Sequence, residues 1–193
     1  MARITRAESQ AQTRAQLVAT ATRLFFEDGY HPTSLEKVAD AAGYSKGAVY
    51  SNFRNKDELC TAVLEQIRAE RLGEVLEIVA RPDTASRIEA LRVWAERVIG
   101  DPGWTSLEVE FAVHARRNEQ LRTDLAGSLN GILQMLTAGV ESADNADLKM
   151  PGDEIATAML ALGVGLGLLR SIDPGIGVNG FIDTLRLLTG QAS

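Results

Sequence analysis

The residues whose side chains are best suited to binding chemistry lie in one stretch, SKGAVYSNFRNK. Lys46 is a cation that can donate hydrogen bonds to guanine O6 and N7, and Tyr50 and Asn52 can donate to phosphate oxygens. Gly47 and Ala48 are small enough to let the backbone approach the bases and the thymine methyl groups. This combination predicts contact with duplex DNA, although a short helix with an ordinary solvent-exposed face would carry similar residues.

Two short helices and a glycine-containing turn are predicted around these residues. In TSLEKVADAAG, Thr33 and Glu36 have the spacing of a capping box, and Gly43 is placed to end the helix. Ser45 can then cap a second short helix. A helix-turn-helix unit places the N-terminal residues of its second helix at the base edges of the major groove. The joint pattern, over about residues 34–53, favours DNA binding over a solvent-exposed helix.

The charge of the chain is unevenly distributed. Residues 1–56 hold 8 Lys+Arg and 5 Asp+Glu, a charge of +3, whereas residues 57–193 hold 12 and 21, a charge of −9. We call residues 1–56 the head and residues 57–193 the body. A basic head on an acidic body permits DNA binding by one end, because attraction to phosphate is screened within about 10 Å at ordinary salt.

The run LFFEDGYHPTSLEKVADAAGYSKGAVYSNFRNKDEL resembles the DNA-binding segment of the TetR family of helix-turn-helix repressors. The shared features are the Thr-Ser start, the Ala-Ala-Gly turn, the Ser-Lys-Gly recognition helix and the capped Asn-Lys-Asp-Glu that follows. The resemblance implies phosphate contacts from Thr33, Ser34, Tyr50, Asn52 and Lys56. It implies base contacts from Lys46, Gly47 and their neighbours on the recognition helix, namely Ser45, Ala48 and Ser51. Many members have histidine where this chain has Asn52, which can donate to a phosphate or reach an adenine.

The resemblance also implies an architecture and a function. The fold expected is all-α, with a three-helix DNA-binding domain over residues 1–56 and a helical ligand-binding and dimerisation domain over residues 57–193. Such a protein would be a dimeric regulator, and we expect a repressor that leaves a palindromic operator when a small, mostly apolar effector binds. Neither a cofactor nor a metal is expected. The composition, with 45% hydrophobic but only 5% aromatic residues, independently favours helices.

Apolar periodicity and helix breakers predict six further helices after the recognition helix. Their expected ranges are 55–80, 84–99, 104–117, 119–143, 153–171 and 178–189. The resemblance implies that the last two pair with those of a second subunit. The longest apolar run, residues 155–169, is shorter than the roughly 20 residues that span a bilayer, and the N-terminus has no signal-peptide core. A cytoplasmic protein is therefore expected.

A cavity for the effector is predicted in the body. Trp104 and Phe111 recur on one stripe of the helix at 104–117, and Glu108 falls within that stripe. Because an unpaired carboxylate there would be costly, Glu108 is expected to pair with an arginine such as Arg92 or Arg97, or to reach water, more readily than to contact a ligand. The residues predicted to bind the effector are Trp94, Trp104, Leu107, Glu108, Phe111, His114, Met135, Met159 and Leu162.

Two other classes of function remain open. The first is an enzyme that uses Glu108 and His114 as acid and base, although the sequence offers no nucleophile, metal set or cofactor loop beside them. The second is a helical scaffold without affinity for DNA. The two histidines, His31 and His114, are expected to lie far apart, so a metal site is not predicted. Salt-dependent binding to duplex DNA would separate both classes from the main prediction.

Overall fold

A computed structural model describes residues 5–142 and 148–191 of the chain. Within those residues all regular structure is helical, which confirms the all-α prediction. The helices are α1 (Arg6–Asp28), α2 (Leu35–Ala42), α3 (Lys46–Tyr50), α4 (Lys56–Val79), α5 (Thr84–Val98), α6 (Pro102–Ala115), α7 (Glu119–Ser142), α8 (Gly152–Ile172) and α9 (Asn179–Leu188). Each helix after α3 begins and ends within two residues of its predicted bounds.

The helix-turn-helix consists of α2 and α3, and its caps correct one prediction. Ser34, not Thr33, caps α2, because its hydroxyl oxygen accepts a hydrogen bond from the Lys37 N–H at 3.1 Å. Thr33 is buried, and its hydroxyl donates to the Gly29 carbonyl at 2.9 Å. The predicted capping box of Thr33 with Glu36 is therefore wrong, since the helix begins one residue later and Thr33 turns inward.

The turn between α2 and α3 follows the sequence prediction. Gly43 has φ 72° and ψ 26°, the left-handed conformation that glycine adopts without steric cost. Ser45 accepts a hydrogen bond from the Ala48 N–H at 3.2 Å and so caps α3. Asn55 caps α4 in the same way through the Glu58 N–H at 2.8 Å. Gly43 and Ser45 thus fix the direction in which α3 leaves the turn, and Asn55 fixes the start of α4.

A first hydrophobic cluster, the N-terminal core, joins the head to the body. It contains the inner faces of α1, α2 and α3, the first half of α4 up to Ile67, and residues of α6 and α7. Leu107 and Phe111 of α6 are fully buried in it, together with Cys60 of α4. Burial raises the pKa of the Cys60 thiol, so this cysteine packs as an unreactive apolar residue. Helix α4 crosses the predicted domain boundary at residue 56. The head is also packed directly on α6, because Leu107 and Phe111 belong to the same core as the inner faces of α1, α2 and α3.

A second cluster, the C-terminal core, holds α5, α8 and α9 together through residues such as Ile99, Met159 and Phe181. Arg170 of α8 reinforces it, because its guanidinium donates to the backbone carbonyls of Ile99 at 2.7 Å and of Glu96 at 3.1 Å. It also donates to the carbonyl of Ile176. A single side chain therefore ties the end of α5 to the loop after α8.

Helix α8 is 21 residues long and apolar enough, by length and composition alone, to cross a membrane. The helix extends beyond the apolar run of residues 155–169 at both ends, and the core helix of a soluble protein can have the same length and composition. Only 28% of its most apolar window is buried within one chain. The exposed residues include Val164, Leu168, Leu169 and Ile172. We call this surface the α8 face.

Candidate nucleic-acid interface

The recognition helix α3 is held by its inner side and presents its outer side to solvent. Val49 and Phe53 are buried in the N-terminal core. Lys46 and Gly47 are exposed, and Ala48 is half-buried. A methyl group added at Gly47 would meet only the Ser45 hydroxyl, at 3.8 Å, so no segment within residues 5–142 and 148–191 covers this side of the helix. Lys46, Gly47 and Ala48 therefore share one open surface at the N-terminal end of α3, whereas Ser51 lies at its C-terminal end.

Tyr50 connects the two helices of the motif. Its ring is half exposed, and its hydroxyl donates to Glu36 Oε1 of α2 at 2.8 Å. This hydrogen bond lowers the pKa of the Glu36 carboxyl and raises that of the Tyr50 hydroxyl. To donate to a phosphate, as predicted, the Tyr50 hydroxyl must exchange the carboxylate for a phosphate oxygen.

Asn52 and Ser51 lie where α3 ends. The Asn52 side-chain amide donates to the Ala48 carbonyl at 2.8 Å, and the Ser51 hydroxyl donates to the same carbonyl at 2.9 Å. The Asn52 backbone carbonyl accepts a hydrogen bond from the Arg14 guanidinium at 2.7 Å. That guanidinium also lies 4.1 Å above the centre of the Phe53 ring. Sequence reasoning missed Arg14, because its partner is 38 residues away and no local spacing connects them.

The Lys56 ammonium already has partners within the protein, so it is less available for a phosphate contact than the sequence indicates. Its ammonium donates to the carbonyls of Tyr30 at 3.0 Å and His31 at 3.1 Å, and it lies 4.1 Å above the Tyr30 ring. Burial lowers the pKa of Lys56, while Asp57 opposes that shift. Lys56 therefore anchors the loop after α1 in addition to any contact with phosphate.

The two histidines are neighbours, contrary to the sequence prediction. The ring centres of His31 and His114 are 6.2 Å apart, because α6 packs against the loop that follows α1. His114 Nε2 lies 3.2 Å from Asp57 Oδ1, which also accepts the Tyr30 hydroxyl. Glu110 accepts the Tyr30 N–H at 2.8 Å. Among residues 5–142 and 148–191, however, no group of three or more His, Cys, Asp or Glu side chains is arranged to hold a metal ion.

Glu108 pairs with an arginine that the sequence did not indicate. Arg68 of α4 donates two hydrogen bonds to its carboxylate, at 2.8 and 2.6 Å, and Trp104 Nε1 donates a third at 3.0 Å. The two expected partners bind other acids, because Arg92 pairs with neighbouring glutamates on α5 and Arg97 pairs with Glu74. The prediction of an arginine partner is confirmed, but the partner belongs to the crossing helix α4.

The residues predicted to bind an effector lie in two hydrophobic clusters and on the surface. Leu107 and Phe111 lie in the N-terminal core, with Trp104 packed against it, and Met159 lies in the C-terminal core with Trp94 beside it. Glu108 in the middle of α6 and His114 in its last turn are held by the contacts given above. Met135 and Leu162 are exposed, at 44% and 38%.

The body has an open groove between α4 and α5. Its volume is about 480 Å³, and Trp94 is the one predicted ligand residue among those that line it. The lining residues are Glu74, Glu77, Ile78, Arg81, Ser86, Glu89, Ala90, Val93, Trp94 and Arg97. Trp94 Nε1 donates to Glu74 Oε2 at 2.9 Å, so the indole of the groove is fixed in orientation.

Comparison with known proteins identifies relatives of the head and of the whole fold. Residues 17–63 match the family model for bacterial regulatory proteins of the tetR family. The HTH-type transcriptional regulator TtgR of Pseudomonas putida is 42% identical over 67 residues, which are 35% of this chain but only 31% of that protein. The HTH-type transcriptional repressor Rv1474c of Mycobacterium tuberculosis is 27% identical over 158 residues, covering 67% of this chain and 84% of that protein.

Solved structures extend the likeness to nearly the full length. Salmonella enterica GusR is 26% identical with a TM-score of 0.66, and 97% of each chain is covered. Reduced NemR of E. coli has a TM-score of 0.72 at 20% identity, covering 94% of this chain and 97% of that one, which shows a shared fold. The family-model match covers residues 17–63, whereas these two structures resemble nearly the whole chain at 20 to 26% identity.

Proposed function

We propose that this chain, which belongs to the TetR family of bacterial regulatory proteins, is a cytoplasmic, ligand-responsive repressor that binds a palindromic operator as a homodimer. One observation carries the proposal: α3 is anchored by buried Val49 and presents Lys46 and Gly47 on an open surface beside a capped, left-handed turn. The family match over residues 17–63 supports the same function for that surface. An enzyme or a scaffold would not require this arrangement.

The contacts of the interface are proposed as follows. Lys46, Gly47 and Ala48 face the base edges, because they lie at the N-terminal end of α3, the part of a recognition helix that enters the major groove. Ser34, Tyr50, Ser51 and Asn52 lie around them and contact phosphates. Thr33 takes part only through its backbone, since its hydroxyl is buried. Ser45 caps the helix and orients Lys46.

Dimerisation is proposed through α8 and α9. The α8 face leaves Val164, Leu168, Leu169 and Ile172 exposed in a single chain, and α9 adds exposed Leu187. Removing apolar surface from water stabilises an assembly by about 25 cal/mol per Å², so pairing of two such faces is favourable. Gly165 has open space around it, which would let a second helix approach closely.

Selection of duplex DNA from a random pool tests the function. Because a two-fold dimer places two recognition helices in successive major grooves, the protein should enrich a palindrome whose half-sites are about one helical turn, roughly 34 Å, apart or slightly more. Binding should weaken steeply with salt. Recovery of no palindrome by the purified protein, or binding that is insensitive to salt, would count against the proposal.

The Lys46→Ala variant should lose both affinity and base preference. Loss of a lysine contact to guanine is expected to cost about 1 to 3 kcal/mol and to relax selection at one position of each half-site. Lys56→Ala is the comparison, and it should weaken binding to all DNA sequences alike. It should also lower the melting temperature of the protein, because the Lys56 ammonium donates to the carbonyls of Tyr30 and His31. Selection profiles and thermal melts of both variants separate these effects, and equal loss of base preference would show the assignment of Lys46 to be mistaken.

The effector is proposed to be a small, mostly apolar molecule that binds the body and moves α4 relative to the operator. The groove between α4 and α5 supports a site there, because Ile78, Val93 and Trp94 provide apolar surface beside the helix that leads into the head. Charged residues line the rest of it, namely Glu74, Glu77, Arg81, Glu89 and Arg97. By linkage, effector and operator must weaken each other by the same factor, typically 5- to 150-fold. A molecule that raised the melting temperature yet left operator affinity unchanged at saturation would contradict this coupling.

A further inference from the structure

A second groove lies beside the recognition helix, between it and the N-terminal half of α1. Its volume is about 270 Å³. Four residues of α1 line one side, and three residues at the end of α3 line the other. They are Arg6, Ser9, Gln10 and Thr13, and then Ala48, Ser51 and Asn52. None of these side chains is acidic, and among the described residues that line the groove only Arg6 carries a formal charge.

The α1 side of this groove is a continuous helical face. Residues 6, 9, 10 and 13 have the i, i+3, i+4, i+7 spacing of one side of an α-helix. The face is polar throughout, and residues 6, 9 and 10 are exposed. The one acid in this turn, Glu8, is bound at the helix start, where its carboxylate accepts the Thr5 N–H at 2.7 Å. Glu8 is not among the residues that line the groove.

Helix stability does not explain an arginine at this position. Arg6 is the first residue of α1, and a cation at the N-terminus of a helix is repelled by the helix dipole. Among the described residues the structure gives its guanidinium no acid or carbonyl partner. A negatively charged group bound in the groove would remove this disadvantage, because it would be attracted both by Arg6 and by the start of α1.

The groove is also held open by a contact one turn further along α1. Arg14 donates to the Asn52 carbonyl at 2.7 Å and covers the Phe53 ring at 4.1 Å. These contacts fix the distance between α1 and the end of α3. The groove is therefore formed before any ligand arrives, and little ordering is required of it on binding.

We propose that this groove binds one phosphate of the operator backbone, next to the bases that α3 reads, with Arg6 supplying the charge. Ser9 and Gln10 supply neutral donors, whereas the Thr13 hydroxyl is already committed to the Ser9 carbonyl at 3.0 Å. The inference rests on the proposed DNA-binding function. It adds to the interface a contact from α1, which lies outside the helix-turn-helix.

The test is the salt dependence of operator binding by Arg6→Ala. Each lost phosphate contact lowers the slope of log K against log salt by about 0.9, so the dimer should lose about 1.8 while its base preference stays unchanged. Arg23→Ala is the matched control, since Arg23 lies on the same helix but pairs with Glu27 at 2.9 Å, away from the groove. Gln10→Ala should reduce affinity without changing the slope. In phosphate-ethylation interference, Arg6→Ala should lose sensitivity at one phosphate in each half-site.

Three outcomes are distinct. A reduced slope for Arg6→Ala alone, with loss of interference at one phosphate per half-site, supports the inference. If the wild type selects a palindrome and Arg6→Ala has the same slope and the same interference pattern, the groove does not bind phosphate although the regulator function stands. If the wild type shows no salt-dependent binding to any duplex, the proposed function itself fails, and this inference fails with it.

Discussion

We expect the Phe111→Ala variant to be destabilised by about 3 to 5 kcal/mol, the usual cost of removing a fully buried phenylalanine and leaving a cavity. Phe111 has no exposed surface, and its ring centre lies 5.4 Å from that of Tyr30, in the loop after α1. Tyr30 is in turn bound to Asp57 of α4 and to Glu110 of α6. The cavity would thus open where the head meets the body.

Chemical denaturation followed by circular dichroism measures this loss. The matched control is Val113→Ala on the same helix, which should change the free energy of unfolding by no more than about 0.5 kcal/mol because Val113 is 57% exposed. We also expect Phe111→Ala to weaken operator binding, since the residues that hold the loop after α1 lose their support. Equal stability of the two variants would contradict the placement of Phe111 in the N-terminal core.

The outcome for Phe111 shows where sequence reasoning was limited. The stripe of Trp104 and Phe111 predicted an inward face of α6 correctly, but a helical period does not say which element covers that face. From the sequence alone, the stripe was assigned to the effector cavity, and the head was not considered. The structure favours the head, because Phe111 and Leu107 pack among residues of α1 and α4.

Helix caps and helix ends were predicted well, because they depend on residues only a few positions apart. Ser45, Asn55 and Gly43 cap or end helices as their chemistry predicts. Thr33 and Ser34 show the limit of such signals, since two adjacent hydroxyls both suit a cap and burial of Thr33 decided between them.

Long-range pairs were not predictable from spacing. Arg68 and Glu108 are 40 residues apart, and their bidentate pairing depends on the crossing of α4 and α6. The approach of His31 to His114 has the same cause. For Glu108 the sequence predicted an arginine partner without identifying it, and for the two histidines it predicted no contact. Only the packing of α6 against α4 and the loop after α1 brings these residues together.

The largest effect on function is expected from Leu168→Arg, placed in the middle of the α8 face. Leu168 is 44% exposed within one chain, so an arginine there can reach solvent in the monomer and should leave the fold intact. In the proposed dimer the same arginine would be buried opposite the partner's α8 without a counter-ion, which costs several kcal/mol. The chain should therefore remain folded but become monomeric.

Loss of the dimer should remove the advantage of binding two half-sites at once, which is typically worth a factor of about 10² to 10⁴ in affinity. Sedimentation velocity gives the oligomeric state, and fluorescence anisotropy with a full palindrome and with a single half-site gives both affinities. Leu168→Arg should bind the two DNAs almost equally, whereas Val113→Arg, an exposed valine on α6 outside the α8 face, should keep the wild-type preference for the palindrome. A Leu168→Arg protein that stays dimeric and keeps that preference would show that the α8 face is not the dimer interface, and the exposed leucines of α8 would then require another partner.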